Sequence, residues 1–185
     1  MNIYIKFSVV LFLVVAISCG LLAFVNKQTK PIIQNNEEIA QERARKDVVS
    51  SAHKFVQVKP DSTFIYYRAI DINDNHIGYS LLTTERGYSG DIQVMVGLNT
   101  NYEVLNIKVI SQTETPGLGT AIVLPKFTDM FKGLKQGDLK IERDGGKIKN
   151  ITGATISTKA VTRSVNNAIS RLIGYTIGGE DELFE

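Results

Sequence analysis

Residues 151–158 read Ile-Thr-Gly-Ala-Thr-Ile-Ser-Thr and gather four hydroxyl side chains (Thr152, Thr155, Ser157, Thr158) around Gly153 and Ala154. Behind them Val161, Val165, Ala168, Leu172 and Ile173 recur at three- and four-residue steps, the period of an amphipathic helix. The hydroxyl cluster therefore stands where a helix begins. The first N–H groups of a helix lack an intrahelical acceptor and its dipole is positive at that end, so the place suits an oxyanion such as a phosphate. The same residues also suit plain capping, with Ser157 or Thr158 starting the helix.

A second stretch, Glu114-Thr115-Pro116-Gly117-Leu118-Gly119-Thr120, reads as a tight loop, because Pro fixes one backbone angle and the glycines free the next. Its glycines either let the backbone approach a flat ligand or simply allow the bend. Gly87-Tyr88-Ser89-Gly90 is a further turn. Familiar catalytic patterns are missing. His53 and His76 stand apart among polar residues and read as surface residues, and Cys19 is the only cysteine. No Ser-His-Asp or Cys-His arrangement, P-loop or dinucleotide fingerprint occurs. If this chain does chemistry, a cofactor should carry it. A net charge of +2 argues against a nucleic-acid partner.

The elements that must position these residues follow from hydropathy. Residues 7–25 carry no charge, and thirteen of these nineteen are Leu, Ile, Val or Phe. Such a run is worth roughly 5 kcal/mol toward insertion and nearly spans a bilayer core. A cleaved signal peptide is the rival. Residues 16–20 faintly resemble a lipoprotein cut site, but the apolar run continues past them through Val25, which favours an uncleaved anchor. Lys6 lies on one side and Lys27 and Lys30 on the other, so charge does not set the orientation. Residues 26–36, with Pro31, read as a polar connector. Residues 37–55 read as a helix with a narrow stripe of Ala40, Ala44, Val48, Ala52 and Phe55, either packed on the domain or a solvated stalk.

Residues 64–72, 77–83, 91–97 and 104–111 are rich in β-branched and aromatic residues and read as strands. Alternation of Ile92, Val94 and Val96 with Gln93 and Met95 predicts one buried and one wetter face, as does that of Leu105, Ile107 and Val109 with Asn106 and Lys108. Turn residues at 73–75 and 99–101 make the pairing antiparallel. Phe127, Met130, Phe131 and Leu134 predict a short amphipathic helix, 144–146 a turn, 147–150 an extended piece, and the acidic end a frayed tail. The fold class is α+β: a single N-terminal transmembrane helix, then an antiparallel sheet with flanking helices. The division is an anchor at 1–26, a connector and helix at 27–56, the main domain at 57–178 and an acidic tail at 179–185.

The N-terminal span, the Gly87–Gly90 turn, the Glu-Thr-Pro-Gly-Leu-Gly loop and Thr152-Gly153-Ala154-Thr155 occur in an order that resembles the FMN-binding domain family. Within it the likeness is to the G subunits of Rnf-type electron-transport complexes, with the C subunits of sodium-pumping NADH:quinone reductases as near relatives. It covers almost the whole chain. The resemblance implies FMN esterified through its phosphate to Thr155, attached by a flavin-attaching transferase. Lys149 stands where the family pattern usually has an aspartate. Gly153, Ala154 and Thr152 would complete the acceptor loop. Ser157 and Thr158 would add hydroxyls and Lys159 a positive charge near the phosphate. Glu114, Thr115, Gly117, Leu118 and Gly119 would lie beside the ring system, with Leu118 against it and Tyr88 either walling the pocket or serving as a core aromatic. The implied protein is an electron-relay subunit of a ferredoxin:NAD oxidoreductase coupled to Na⁺ or H⁺ movement, a redox part of a translocase rather than a complete enzyme. It would sit in a bacterial or archaeal cytoplasmic membrane with its soluble domain outside, among other membrane subunits. The rival functions are a tethered binding or scaffold domain without cofactor, and a flavinylated domain of another extracytoplasmic reductase.

Overall fold

The computed structural model describes residues 3–177. The expected acidic tail, 179–185, lies outside the described residues. The chain falls into two compact units, Met1–Ala40 and Gln41–Glu185. Helix α1 (Ile3–Val48) begins in the first and ends in the second; it contains one stretch long and apolar enough to cross a membrane, and no residue from 3 to 40 is buried.

Helix α1 also runs through residues 26–36 and past Pro31, so the expected connector is helical. A proline inside a helix removes one N–H donor and crowds the carbonyl four residues back. Here its neighbours Gln28, Lys30 and Gln34 are good helix formers, and the Thr29 hydroxyl bonds back to the Val25 carbonyl at 3.0 Å. A polar composition suits an exposed helix as well as an irregular connector, and every residue of 26–36 is exposed. The helix ends at Val48 rather than at 55, because Phe55 belongs to a strand, β1 (Lys54–Val58), that the helical spacing of Ala52 and Phe55 disguised.

The second unit holds a five-stranded antiparallel meander in the order β1-β2-β3-β4-β5, with β2 Tyr66–Ile70, β3 His76–Arg86, β4 Asp91–Asn99 and β5 Val104–Ser111. The turns are set by side chains. Asp71 accepts the Asn73 and Asn75 amides, and Asn99 accepts those of Asn101 and Glu103. Helix α3 (Thr155–Ile177) covers one face of the sheet. Its Val161, Val165, Ile169 and Leu172 meet Leu81, Ile92, Val94 and Val96 in the main core. Each such side chain, fully buried, contributes about 1.5–3 kcal/mol.

The wetter face expected of β4 is instead covered. Met95 and Gly97 are buried there beneath Ala44, Val48 and Val49 at the end of α1. A Cβ on Gly97 would fall 2.4 Å from the Val48 carbonyl oxygen, so glycine permits this approach. Leu105 stays exposed because the register slips between Gly97 and Leu98, which leaves Val104 opposite Leu98 in the core. The expected helix around Phe127–Leu134 is a single turn, α2 (Pro125–Thr128), continued by a 3₁₀ turn, Asp129–Phe131. Phe127 and Phe131 are buried as the stripe requires, with Met130 and Leu134 packed at its margin. Residues 147–150 touch a neighbour at one bridge, Ile148 to Ile141.

Candidate functional site

Gly153 has φ +79°, a left-handed conformation that L side chains rarely adopt, and a Cβ there would lie 2.9 Å from Leu118. The chain closes behind it with a bond from the Ala154 amide to the Ile151 carbonyl at 3.0 Å. Helix α3 then starts at Thr155. The Thr158 amide bonds to the Ala154 carbonyl at 2.9 Å, so the amides of Thr155, Ile156 and Ser157 precede the first helical acceptor. Neither Ser157 nor Thr158 begins the helix. The Thr158 hydroxyl, wholly buried, accepts the Ile151 amide at 3.3 Å and ties the incoming loop down. Thr155 is exposed, and its Oγ1 accepts a hydrogen bond from the Asn150 side-chain amide at 2.9 Å.

Glu114 organises the neighbouring loops. Its carboxylate is buried, accepts the Ser89 amide at 3.0 Å through Oε1, and accepts the Ser157 hydroxyl through Oε2. One side chain thus joins the Gly87–Gly90 turn, the 114–119 loop and the first turn of α3. Two glycines make room for it. A Cβ on Gly87 would sit 2.5 Å from Oε1, and one on Gly119 would sit 2.8 Å from Oε2.

Between these loops lies a groove of about 540 Å³, inside the range of small-molecule sites. Tyr88, Glu114, Thr115, Leu118 and Gly119 line one part, and Gly153, Ala154, Thr155 and Ser157 another. Four expected residues lie outside it. Gly117 is at the exposed loop tip, where its amide bonds to the Thr120 hydroxyl at 3.1 Å, and Thr152 is exposed beside Gly153. Thr158 is turned into the protein. Lys159 is directed away and pairs with Asp144 at 3.1 Å, so its charge serves that contact. Ser157 reaches the groove, but its hydroxyl proton goes to Glu114. Ile156 lines the groove at 52% exposure and was missed; an apolar residue off the buried stripe of α3 was the available signal. Nothing in the sequence marked Asn150. Among the described residues no cluster of His, Cys, Asp and Glu could hold a metal.

Residues 87–170 match the family model described as FMN-binding domain, and residues 1–48 match the RnfG N-terminal region. The chain is 30% identical over 165 residues to the G subunit of the proton-translocating ferredoxin:NAD(+) oxidoreductase complex of Clostridium ljungdahlii, with 88% of each chain covered. The chain belongs to this G-subunit family. A second member, the G subunit of the ion-translocating oxidoreductase complex of Methanosarcina acetivorans, is 28% identical over 172 residues, covering 89% of this chain and 92% of that one. The fold is shared with the C subunit of the Na(+)-translocating NADH-quinone reductase from Parabacteroides distasonis, at a TM-score of 0.57 and 18% identity, over 77% of this chain and 93% of that one.

The groove fits FMN, the group for which the matched domain family is named, on its own chemistry. Exposed Leu118, Tyr88 and Ile156 offer apolar surface to a flat ring, and Gly153 leaves room for the Leu118 side chain beside it. The start of α3 offers unpaired amides to a phosphate.

Proposed function

We propose that this chain is the electron-relay subunit of an Rnf-type membrane complex and carries FMN esterified through its phosphate to Thr155. The observation that carries the reading is the setting of Thr155. It is an exposed hydroxyl on the first residue of α3, at a groove of suitable size, beside amides without helical acceptors. Bound FMN supplies the one- and two-electron chemistry. The chain's own residues hold and orient it. Thr155 Oγ1 is the point of attachment, with the Asn150 amide fixing the direction of its lone pairs. The amides of Ile156 and Ser157 hold the phosphate, and Leu118, Tyr88 and Ile156 keep water from one face of the ring. Glu114 sets the spacing of the three segments.

The covalent link suits a soluble domain on the extracytoplasmic side, where lost flavin would not be replaced, and a flavin-attaching transferase installs it. The complex couples ferredoxin and NAD chemistry to Na⁺ or H⁺ movement. Residues 7–25 hold no acid that could carry the ion.

The test is in-gel flavin fluorescence after denaturing electrophoresis, on protein co-expressed with the transferase. The wild-type band should fluoresce, Thr155→Ala should be dark yet folded, Thr155→Ser should be partly labelled, and Thr152→Ala should retain label. A fluorescent Thr155→Ala band would refute the acceptor. A dark wild-type band, with the transferase active on a control, would move the reading to a tethered scaffold domain.

A further inference from the structure

The ladder is uneven on the two sides of β3. Strand β4 pairs with it from Gly78 to Arg86, whereas β2 pairs with it only as far as Leu81. Residues 82–86 therefore keep one strand edge without a ladder partner. The cause lies just before β2. Asp61 accepts the Thr63 amide and hydroxyl and the Phe64 amide, and also the Tyr175 hydroxyl from α3. Phe64 stacks on Tyr175 with centroids 5.3 Å apart. The chain is thus pinned onto α3 instead of continuing beside β3.

The resulting notch opens into a cleft of about 530 Å³. Arg45, at the end of α1, lies 3.6 Å over the Tyr67 ring, and its Nε is buried without an acceptor. Arg171, on α3, lies 4.6 Å over the Phe64 ring and donates to the Thr63 hydroxyl. Neither arginine takes part in an ion pair among the described residues. The acid in the cleft, Glu85, is already held by Arg163 at 3.2 Å. Unneutralised positive charge thus borders an unpaired strand edge. Such an edge is a template for another extended chain, and sheets that avoid pairing normally blunt it.

We propose that this notch receives an extended acidic segment of another subunit of the complex, added as a short strand along residues 82–86, with its carboxylates on Arg45 and Arg171. Main-chain bonds give the hold, and the arginines select the partner by charge. The inference rests on the assembly of this chain into a complex of the family's kind.

The test places the photo-crosslinker p-benzoylphenylalanine at exposed Thr84 and irradiates the assembled complex in its membrane. The expected product joins this chain to another subunit, within a segment holding at least two Asp or Glu. Arg45→Gln with Arg171→Gln should lower the yield about tenfold, while circular dichroism shows the fold retained. Three results would each overturn the proposal: no inter-subunit product although the subunits co-purify, a product on residues 178–185 of the same chain, or an undiminished yield in the double variant. Flavin fluorescence on the same sample reports separately on the redox reading.

Discussion

At Glu114 a single carboxylate joins three segments that are far apart in sequence, and its two donors are both deprived if it is removed. The Ser157 hydroxyl is buried and the Ser89 amide only partly, and a buried donor without an acceptor costs about 1–3 kcal/mol, so Glu114→Ala should cost on the order of 1–3 kcal/mol in urea unfolding. Glu114→Gln keeps one acceptor oxygen and should lose roughly half as much. Equal losses in the two variants would mean that charge, rather than the pair of bonds, holds the loops. The hydroxyl-rich start of α3 and the glycine loop were legible in the sequence because helix starts and Pro-Gly bends have local signatures. What Glu114, Ser157 and Lys159 do there was not, because their partners, Ser89 and Asp144 among them, are brought up by the fold.

Among the elements, the strands showed through alternation and α3 through its stripe, since one buried face leaves a periodic record. The second covered face of β4 left none, because it depends on where α1 ends. Gly97→Ala tests that contact. Its new methyl would meet the Val48 carbonyl and should cost about 1–3 kcal/mol, the usual penalty for overpacking. Gly137→Ala, which meets nothing within 4 Å, should stay within about 0.5 kcal/mol. A neutral Gly97→Ala would show that α1 does not bear on β4. The Asp61–Tyr175 bond links the chain before β2 to α3 in a pH-dependent way. The Tyr175 and Thr63 hydroxyls and the Thr63 and Phe64 amides hold the Asp61 carboxyl well below the usual carboxylate range. A depressed folded value stabilises above the unfolded value, about 3.9, and the benefit is lost as pH falls below it. Melting temperature should therefore drop more steeply between about pH 4 and pH 2 in wild type than in Asp61→Asn. Parallel curves would show that the carboxylate adds nothing to stability.

Among the described residues of the whole molecule, the buried side chains begin only at Ala44, and none of residues 3–40 is buried. Residues 41–185, expressed without the preceding forty, should remain in solution without detergent and unfold in one cooperative transition followed by circular dichroism. Sedimentation of this piece with membranes would place a membrane contact within the second unit.

The burial of Ser157 and Thr158 bears on chemoselectivity. Of the four hydroxyls within seven residues, the folded chain exposes Thr152 and Thr155 and shields the other two at 2% and 0% exposure. Each residue advances about 100° around a helix axis, so Ser157, two places on, points about 200° away from Thr155, and Thr158, three places on, is enclosed by the incoming loop whose Ile151 amide it accepts. A modifying enzyme that meets the folded protein need not tell four similar alcohols apart. Folding has removed two of the competitors, and mislabelling of Ser157 or Thr158 would be a signature of protein modified before it folded.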